Sequence, residues 1–209
     1  MKILIADDHA IVRRGLKQIV QGEVGLAVVE EAQDGQEALR KVQQEAYDLV
    51  ILDINMPGRS GLDVLEELHY LYPRLPVLIM SMYSEDQYAL RVLKAGAVGY
   101  LNKQSAPEEL VKAIKKISSG GRYVSDSVAQ LLAASLDGHH QRPAQEVLSD
   151  REFQVLIMIA SGKTVSEIAE ELSLSVKTIS TFRTRILKKM SLKNNAELTY
   201  YAVRSGLLE

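Results

Sequence analysis

The sequence predicts an α/β chain in two parts: a doubly wound, five-stranded parallel sheet, followed by an all-α domain built on a helix-turn-helix. Three observations predict it. Five short apolar runs alternate with segments whose apolar residues recur at helical spacing, the pattern of βαβ units. The central run, residues 49–52, is apolar throughout and ends in Asp53, shortly before the turn residues Pro57-Gly58. That is how a strand buried on both faces reads. From Leu148 onward the strand-like runs stop and the periodicity is helical alone.

Taken in order, strands are expected over 2–6, 26–32, 48–53, 76–81 and 97–101, with helices over 11–20, 36–44, 62–72, 86–95 and 107–118. Gly96 reads as a helix terminator, and Ser105-Ala106-Pro107-Glu108 as a helix start with proline in its first turn. Ser118-Ser119-Gly120-Gly121 closes the first domain at residues 1–121. Residues 122–147 form a linker with a short helix over 128–136. Its Asp137-Gly138-His139-His140-Gln141-Arg142-Pro143 stretch is turn-rich, and the adjacent histidines read as solvated linker rather than a metal site. The second domain, residues 148–209, opens with Ser149-x-x-Glu152, a capping box, on a helix that Gly162 closes. Thr164-x-x-Glu167 opens a second helix ending at Leu172, Ser173-Leu174-Ser175 is a tight turn, and a third helix covers 176–190. A fourth, over 196–204, ends at Gly206. Ile168, Ala169, Leu172, Leu174, Ile179 and Phe182 supply the apolar crossing of a helix-turn-helix.

The 209 residues are 46% hydrophobic and 25% charged, the balance of a soluble globular protein. No apolar run approaches the roughly 18 residues of a membrane span, and Asp7-Asp8 cuts the opening run too short for a signal peptide. With no cysteine there is no disulfide framework, thiolate metal site or cysteine nucleophile, and a reduced, cytoplasmic setting is expected. The net charge of −2 is unevenly shared, −3 over residues 1–121 and +2 over 148–209. Residues 175–195 hold Lys177, Arg183, Arg185, Lys188, Lys189 and Lys193 with no acid among them. That stripe calls for a phosphate-rich partner at the C-terminal domain only.

Asp7 and Asp8 follow the first strand as Asp53 ends the third. With strand order 2-1-3-4-5, strands one and three are neighbours and all three carboxylates meet at the switch point where such sheets bind ligands. Crowded carboxylates repel and push up a pKa unless a cation joins them, and Mg²⁺ favours carboxylate, phosphate and water oxygens. Beside such a metal, Asp53 is suited to accept a phosphoryl group. Ser81 ends the fourth strand and brings a hydroxyl to that edge, and Lys103, after the fifth, brings an ammonium. Each alone reads as a cap, a turn former or a surface lysine; together they cradle a phosphoryl group.

Asp7-Asp8, the stretch Asp53-Ile54-Asn55-Met56-Pro57-Gly58, Ser81, Gly99-Tyr100 and Lys103 resemble a two-component receiver domain of flavodoxin-like fold. Leu148-Ser149-Asp150-Arg151-Glu152, Gly162-Lys163, Glu167-Ile168-Ala169 and residues 178–190 resemble the LuxR-type helix-turn-helix of the NarL/FixJ subfamily of response regulators. The resemblance implies that Asp53 takes a phosphoryl group from a sensor histidine kinase. It implies a Mg²⁺ site of Asp8, Asp53 and the Asn55 backbone carbonyl, with Asp7 a ligand through water. It makes Ser81 and Tyr100 a switch pair, the hydroxyl turning toward the phosphoryl group and the ring filling the space it leaves. Many receivers carry proline after the lysine, where this chain has Gln104, which leaves the geometry of that peptide bond open.

At about 100° per residue, Ile179, Phe182, Ile186 and Met190 share the inward face of the third C-terminal helix. Lys177, Ser180, Thr181 and Thr184 are then expected to meet bases of double-stranded promoter DNA, and Arg185 and Lys188 its phosphates. Arg183 falls near the apolar face and reads as a packed stem reaching a neighbouring acid or phosphate. A homodimer is expected on DNA, with the 196–204 helix and its Tyr200 and Tyr201 as the candidate contact between output domains, one of the two tyrosines being equally suited to pack within its own domain. The rival reading is a haloacid-dehalogenase-type phosphatase with a protein-binding helical domain. It wants a second acid two residues after the nucleophile, where Asn55 stands. The chain is therefore expected to load itself once rather than turn over a substrate.

Overall fold

The structure is a computed structural model that describes residues 1–25, 27–83, 85–136 and 144–208. The described residues divide into two compact units, Met1–Leu132 and Ala133–Glu209. In the first, β1 (Lys2–Ala6), α1 (Ala10–Glu23), β2 (Val28–Ala32), α2 (Gly35–Gln44), β3 (Leu49–Asp53), α3 (Gly61–Leu71), β4 (Val77–Ser81), α4 (Glu85–Lys94), β5 (Gly99–Asn102) and α5 (Pro107–Ser118) follow one another, and α6 (Asp126–Leu136) begins in it and runs past its end.

All strands pair in parallel in the order β2-β1-β3-β4-β5, as expected. Strand residues alternate between faces. Ile3, Ile5, Ile51, Leu78 and Met80 meet Leu16 and Val20 of α1 and Leu110, Ile114 and Ile117 of α5 in one apolar cluster. The helices α2 and α3 pack on each other, and with both faces covered β3 is buried at every residue. Asp34, Ser60 and Pro107 begin α2, α3 and α5 as an N-cap, a capping box and a first-turn proline.

Two departures from the sequence reading bear on the edge strand β5. Strand β5 starts at Gly99, not residue 97, because the Ala97 N–H is already bonded to Val92 O at the end of α4. The first unit also runs past Gly121, to Leu132. Its extra strap lies along β5: the Tyr123 N–H donates to Val98 O at 2.9 Å, Tyr123 bridges to Gly99, and its ring joins the α1–α5 cluster. A Cβ on Gly99 would lie 2.7 Å from Tyr123 O, so the strap needs glycine there. Ser125 and Ser127 both hydrogen-bond the Glu85 carboxylate of α4. Histidines 139 and 140 lie outside the described residues.

In the second unit a 3₁₀ turn (Ala144–Val147) precedes α7 (Asp150–Ala160), α8 (Val165–Glu171), α9 (Val176–Lys189) and α10 (Asn195–Arg204). The capping boxes of Ser149 with Glu152 and of Thr164 with Glu167 are both closed. Helix α7 is the hub, packed on α8, α9 and α10 and buried from Glu152 to Ala160. Between α8 and α9, Ser173 takes a left-handed φ of 52° and the Leu174 N–H closes on Ala169 O at 2.8 Å. Ser173 thus adopts a conformation glycine would adopt without steric cost. No helix among the described residues is long and apolar enough to cross a membrane.

Candidate functional site

The carboxyl ends of β1 and β3 bring Asp7, Asp8 and Asp53 together. With His9 they each offer a ligand atom, all within 4.8 Å of one another. Asp7 and Asp53 are each 2% exposed, and Lys103, from the loop after β5, is 6% exposed between them. Its Nζ lies 2.6 Å from Asp7 Oδ2 and 2.8 Å from Asp53 Oδ2. Asp53 Oδ1 is buried with no donor in hydrogen-bonding geometry among the described residues.

Burial is the main force on Asp53 and pushes its pKa up to about 6. The Lys103 ammonium opposes that rise, Asp7 adds to it, and the Asn55 backbone N–H pulls it down. Burial also works against the Lys103 ammonium, but Asp53 and Asp7 outweigh it and hold its pKa above the ordinary lysine value. Two buried carboxylates and one ammonium leave an excess of negative charge, which a hard divalent cation would balance. The orphaned Asp53 oxygen and the all-oxygen carboxylate set fit such an ion.

The loop after Asp53 turns sharply back on the strand. The Gly61 N–H donates to Ile54 O at 3.0 Å, and a Cβ on Gly61 would fall 1.9 Å from the Asp53 carbonyl oxygen. Only glycine lets α3 start this close to the acceptor strand. Across the pocket, Ser81 is fully buried and its Oγ accepts the Tyr83 N–H at 3.3 Å. Tyr100 is 1% exposed, and its hydroxyl donates to Tyr83 O at 2.7 Å. Burial raises its phenol well above the usual range. Both residues therefore hold the same short loop at the end of β4. The peptide bond between Lys103 and Gln104 is trans, as are all those among the described residues.

In the second unit Ile179 and Ile186 are fully buried on the inward face of α9, with Met190 at its end. Lys177, Ser180, Thr181, Thr184, Arg185 and Lys188 are all exposed. The Thr181 and Thr184 hydroxyls donate back to Lys177 O and Ser180 O, each at 2.9 Å, which leaves the oxygens free to accept.

Residues 3–115 match the response regulator receiver domain family, and residues 146–202 match the bacterial regulatory proteins of the LuxR family. The chain is a response regulator. It is 36% identical over 208 residues to the response regulator UvrY of Escherichia coli K12, a match spanning 99% of this chain and 95% of that one. It is 37% identical over 216 residues, the full length of both, to the oxygen regulatory protein NreC of Staphylococcus carnosus. Among solved structures it resembles RcsB of Salmonella enterica serovar Typhimurium bound to promoter P1flhDC in the presence of the phosphomimetic BeF₃⁻. That match has 29% identity and a TM-score of 0.65, over 96% of this chain and 97% of RcsB.

The structure of this response regulator adds to two expectations about its basic stripe. Among the described residues Arg183 pairs with no acid: its Nε donates to Asn195 Oδ1 at 2.6 Å, tying α9 to the start of α10. Nor is the stripe without a balancing acid in space, because Lys189 Nζ lies 2.6 Å from Glu152 Oε2 on α7. Sequence reasoning also missed His9. Its N–H donates to Asp7 Oδ1 at 2.7 Å and its Nδ1 lies 2.8 Å from Asp8 Oδ1, so it seats both acids. Its place directly after Asp7-Asp8 was the available signal.

Proposed function

We propose that this response regulator is a transcription factor switched by phosphorylation of Asp53. The observation that carries the reading is the convergence of Asp7, Asp8, Asp53 and Lys103 at one sheet edge, in a chain that also displays an exposed basic helix. The receiver comprises residues 1–121, residues 122–147 link it to the output domain, and residues 148–209 bind DNA. The phosphodonor is a sensor histidine kinase. An Asp53 carboxylate oxygen attacks the phosphorus of its phosphohistidine, the N–P bond breaks, and an acyl phosphate forms while the departing imidazole regains a proton. Asp8, Asp53 and the Asn55 carbonyl would hold Mg²⁺, with Asp7 acting through water. When bound, the cation neutralises the charge that builds on the transferring oxygens.

Lys103 leaves Asp7 to pair with a phosphoryl oxygen. Ser81 turns its hydroxyl to another, and Tyr100 fills the space beside it. Because both already hold the Tyr83 loop, phosphorylation redistributes that loop between two arrangements, which shifts the output domain toward DNA. There, two chains pair on half-sites. Tyr200 and Val203 are exposed on α10 and available for that pairing, whereas Tyr201 bonds Gln145 within its own unit. Lys177, Ser180, Thr181 and Thr184 face bases, and Arg185 and Lys188 face phosphates. The regulator works in the cytoplasm.

Acetyl phosphate and Mg²⁺ test the reading. Loading should stop at one phosphoryl group per chain and tighten retardation of promoter DNA. Continued turnover of the phosphodonor well beyond one equivalent, with DNA binding unchanged, would instead favour the phosphatase with a protein-binding helical domain.

A further inference from the structure

Arg13 lies one turn into α1, outside the acid pocket, and its side chain reaches the pocket through the Asp7 carbonyl. Its side chain is 13% exposed. Its Nη1 donates to the Asp7 carbonyl oxygen at 2.6 Å, a short bond strengthened by the guanidinium charge. Its main-chain N–H donates to His9 O at 3.1 Å. Its side chain therefore holds the carbonyl of the peptide that leads into Asp8, while its main chain closes the first turn of α1 on His9. The guanidinium is itself seated from β2: Arg13 Nε lies 3.5 Å from Glu31 Oε2, while Lys17 Nζ holds the other oxygen, Glu31 Oε1, at 2.9 Å. The next residue along β2, Ala32, accepts the Asp7 N–H at 3.2 Å. Asp7 is thus pinned at its N–H by the strand and at its carbonyl by Arg13.

The Asp8 side chain is 30% exposed and, among the described residues, is met by the imidazole of His9, which is 62% exposed. That largely exposed imidazole restrains the Asp8 carboxylate only weakly. The carboxylate's direction comes from the backbone turn, and the turn is held by Arg13. A carboxylate swinging on a loose turn would lose the placement that a cation shared with Asp53 requires.

We propose that Arg13 is a positioning residue for the divalent cation of the acid pocket, bracing the Asp7-Asp8 turn through the Asp7 carbonyl. This rests on the reading of Asp7, Asp8 and Asp53 as a cation site. Groups that orient metal ligands without touching the metal change affinity by about 10–100-fold when removed.

The test is Mn²⁺ titration of the unphosphorylated full chain, followed by the paramagnetic resonance of the free ion, for Arg13→Ala, Arg13→Lys and Asp8→Ala. Thermal midpoints are recorded alongside. Arg13→Ala should weaken Mn²⁺ at least about tenfold. Arg13→Lys, which keeps a cationic donor for the carbonyl but cannot also reach Glu31 in the same fork, should recover most of the loss. If Arg13→Ala does not fold, Arg13→Gln takes its place, since it keeps part of the stem and lacks the reach to Asp7. Parent-like Mn²⁺ affinity in the alanine or glutamine variant, whatever its thermal midpoint, would make Arg13 merely structural and overturn the proposal. Parent-like affinity in Asp8→Ala would overturn the underlying cation site instead, so the two failures are told apart.

Discussion

The acid pocket and the outer face of α9 handle charge in opposite ways. In the pocket, Asp7, Asp53 and Lys103 are almost wholly buried, and every ion pair is made with a named partner. On the outer face of α9 Lys177, Ser180, Thr181, Thr184, Arg185 and Lys188 are all exposed, and water screens the charges from one another. A buried charge that loses its partner is costly, so the pocket depends on each member individually. An exposed stripe facing a polyanion works by summation, so its members contribute in graded, salt-dependent steps. The pocket is built to take one group in one place, and the helix to sample many similar surfaces.

The largest expected effect lies in the pocket. Asp53→Asn keeps the side-chain size and removes the nucleophile, so labelling by a phosphodonor with Mg²⁺ should vanish while circular dichroism stays unchanged. Labelling equal to the parent would move the acceptor elsewhere and end the contrast. Gly61→Ala sharpens it without altering a charge. The new methyl collides with the Asp53 carbonyl, which should destabilise the receiver by about 1–3 kcal/mol in urea unfolding and slow phosphorylation. A variant with parent stability and rate would mean that the loop yields freely, contrary to the close approach seen at β3.

On the helix the effects should be smaller and divisible. Replacing Thr184 by Ala should change preference at particular base pairs by about 1–3 kcal/mol, read from binding to a library of half-sites. Glu152→Gln removes a charge that straddles both patterns, since Glu152 is buried while its partner Lys189 is largely in water. Burial alone would raise the Glu152 pKa, but the Lys189 ammonium and the donors of Ser149 hold it below the ordinary value of 4.5. A depressed acid stabilises the fold fully above its unfolded pKa and loses that contribution as pH falls through its folded one. Amide-exchange protection of α7 should therefore decline below about pH 4.5 in the parent, and Glu152→Gln should lower it by about 1 kcal/mol at neutral pH and flatten that decline. An unchanged acid profile would take Glu152 out of α7 stability. The smallest change is Lys188→Ala, which should weaken all DNA sequences alike and reduce the salt slope by about one. A change in preferred sequence with the slope intact would mean that α9 lies on DNA in a different rotation.

Much of this was legible along the chain. Both C-terminal capping boxes join residues three apart, so Ser149 with Glu152 and Thr164 with Glu167 could be seen in the sequence and are closed in the structure. The buried β3 and the inward Ile179 and Ile186 follow from periodicity, because apolar residues must leave water on one face or two. Given the strand order 2-1-3-4-5, the acids at the ends of the first and third strands had to meet, and the structure has that order.

Local pattern thus determined which segments are strands and helices, where they start, and which face of each turns inward, since caps and amphipathic faces act over a few residues. Tertiary structure alone decided the rest. It laid the strap around Tyr123 along the first unit's sheet, by offering the free edge of β5 a backbone partner. It sent Arg183 to Asn195 and Lys189 to Glu152, and it set Arg13 and Glu31 against the acid turn. A long charged side chain carries no sign of its partner in its own sequence neighbourhood. Which polar group it finds depends on what the packed core brings within hydrogen-bonding reach.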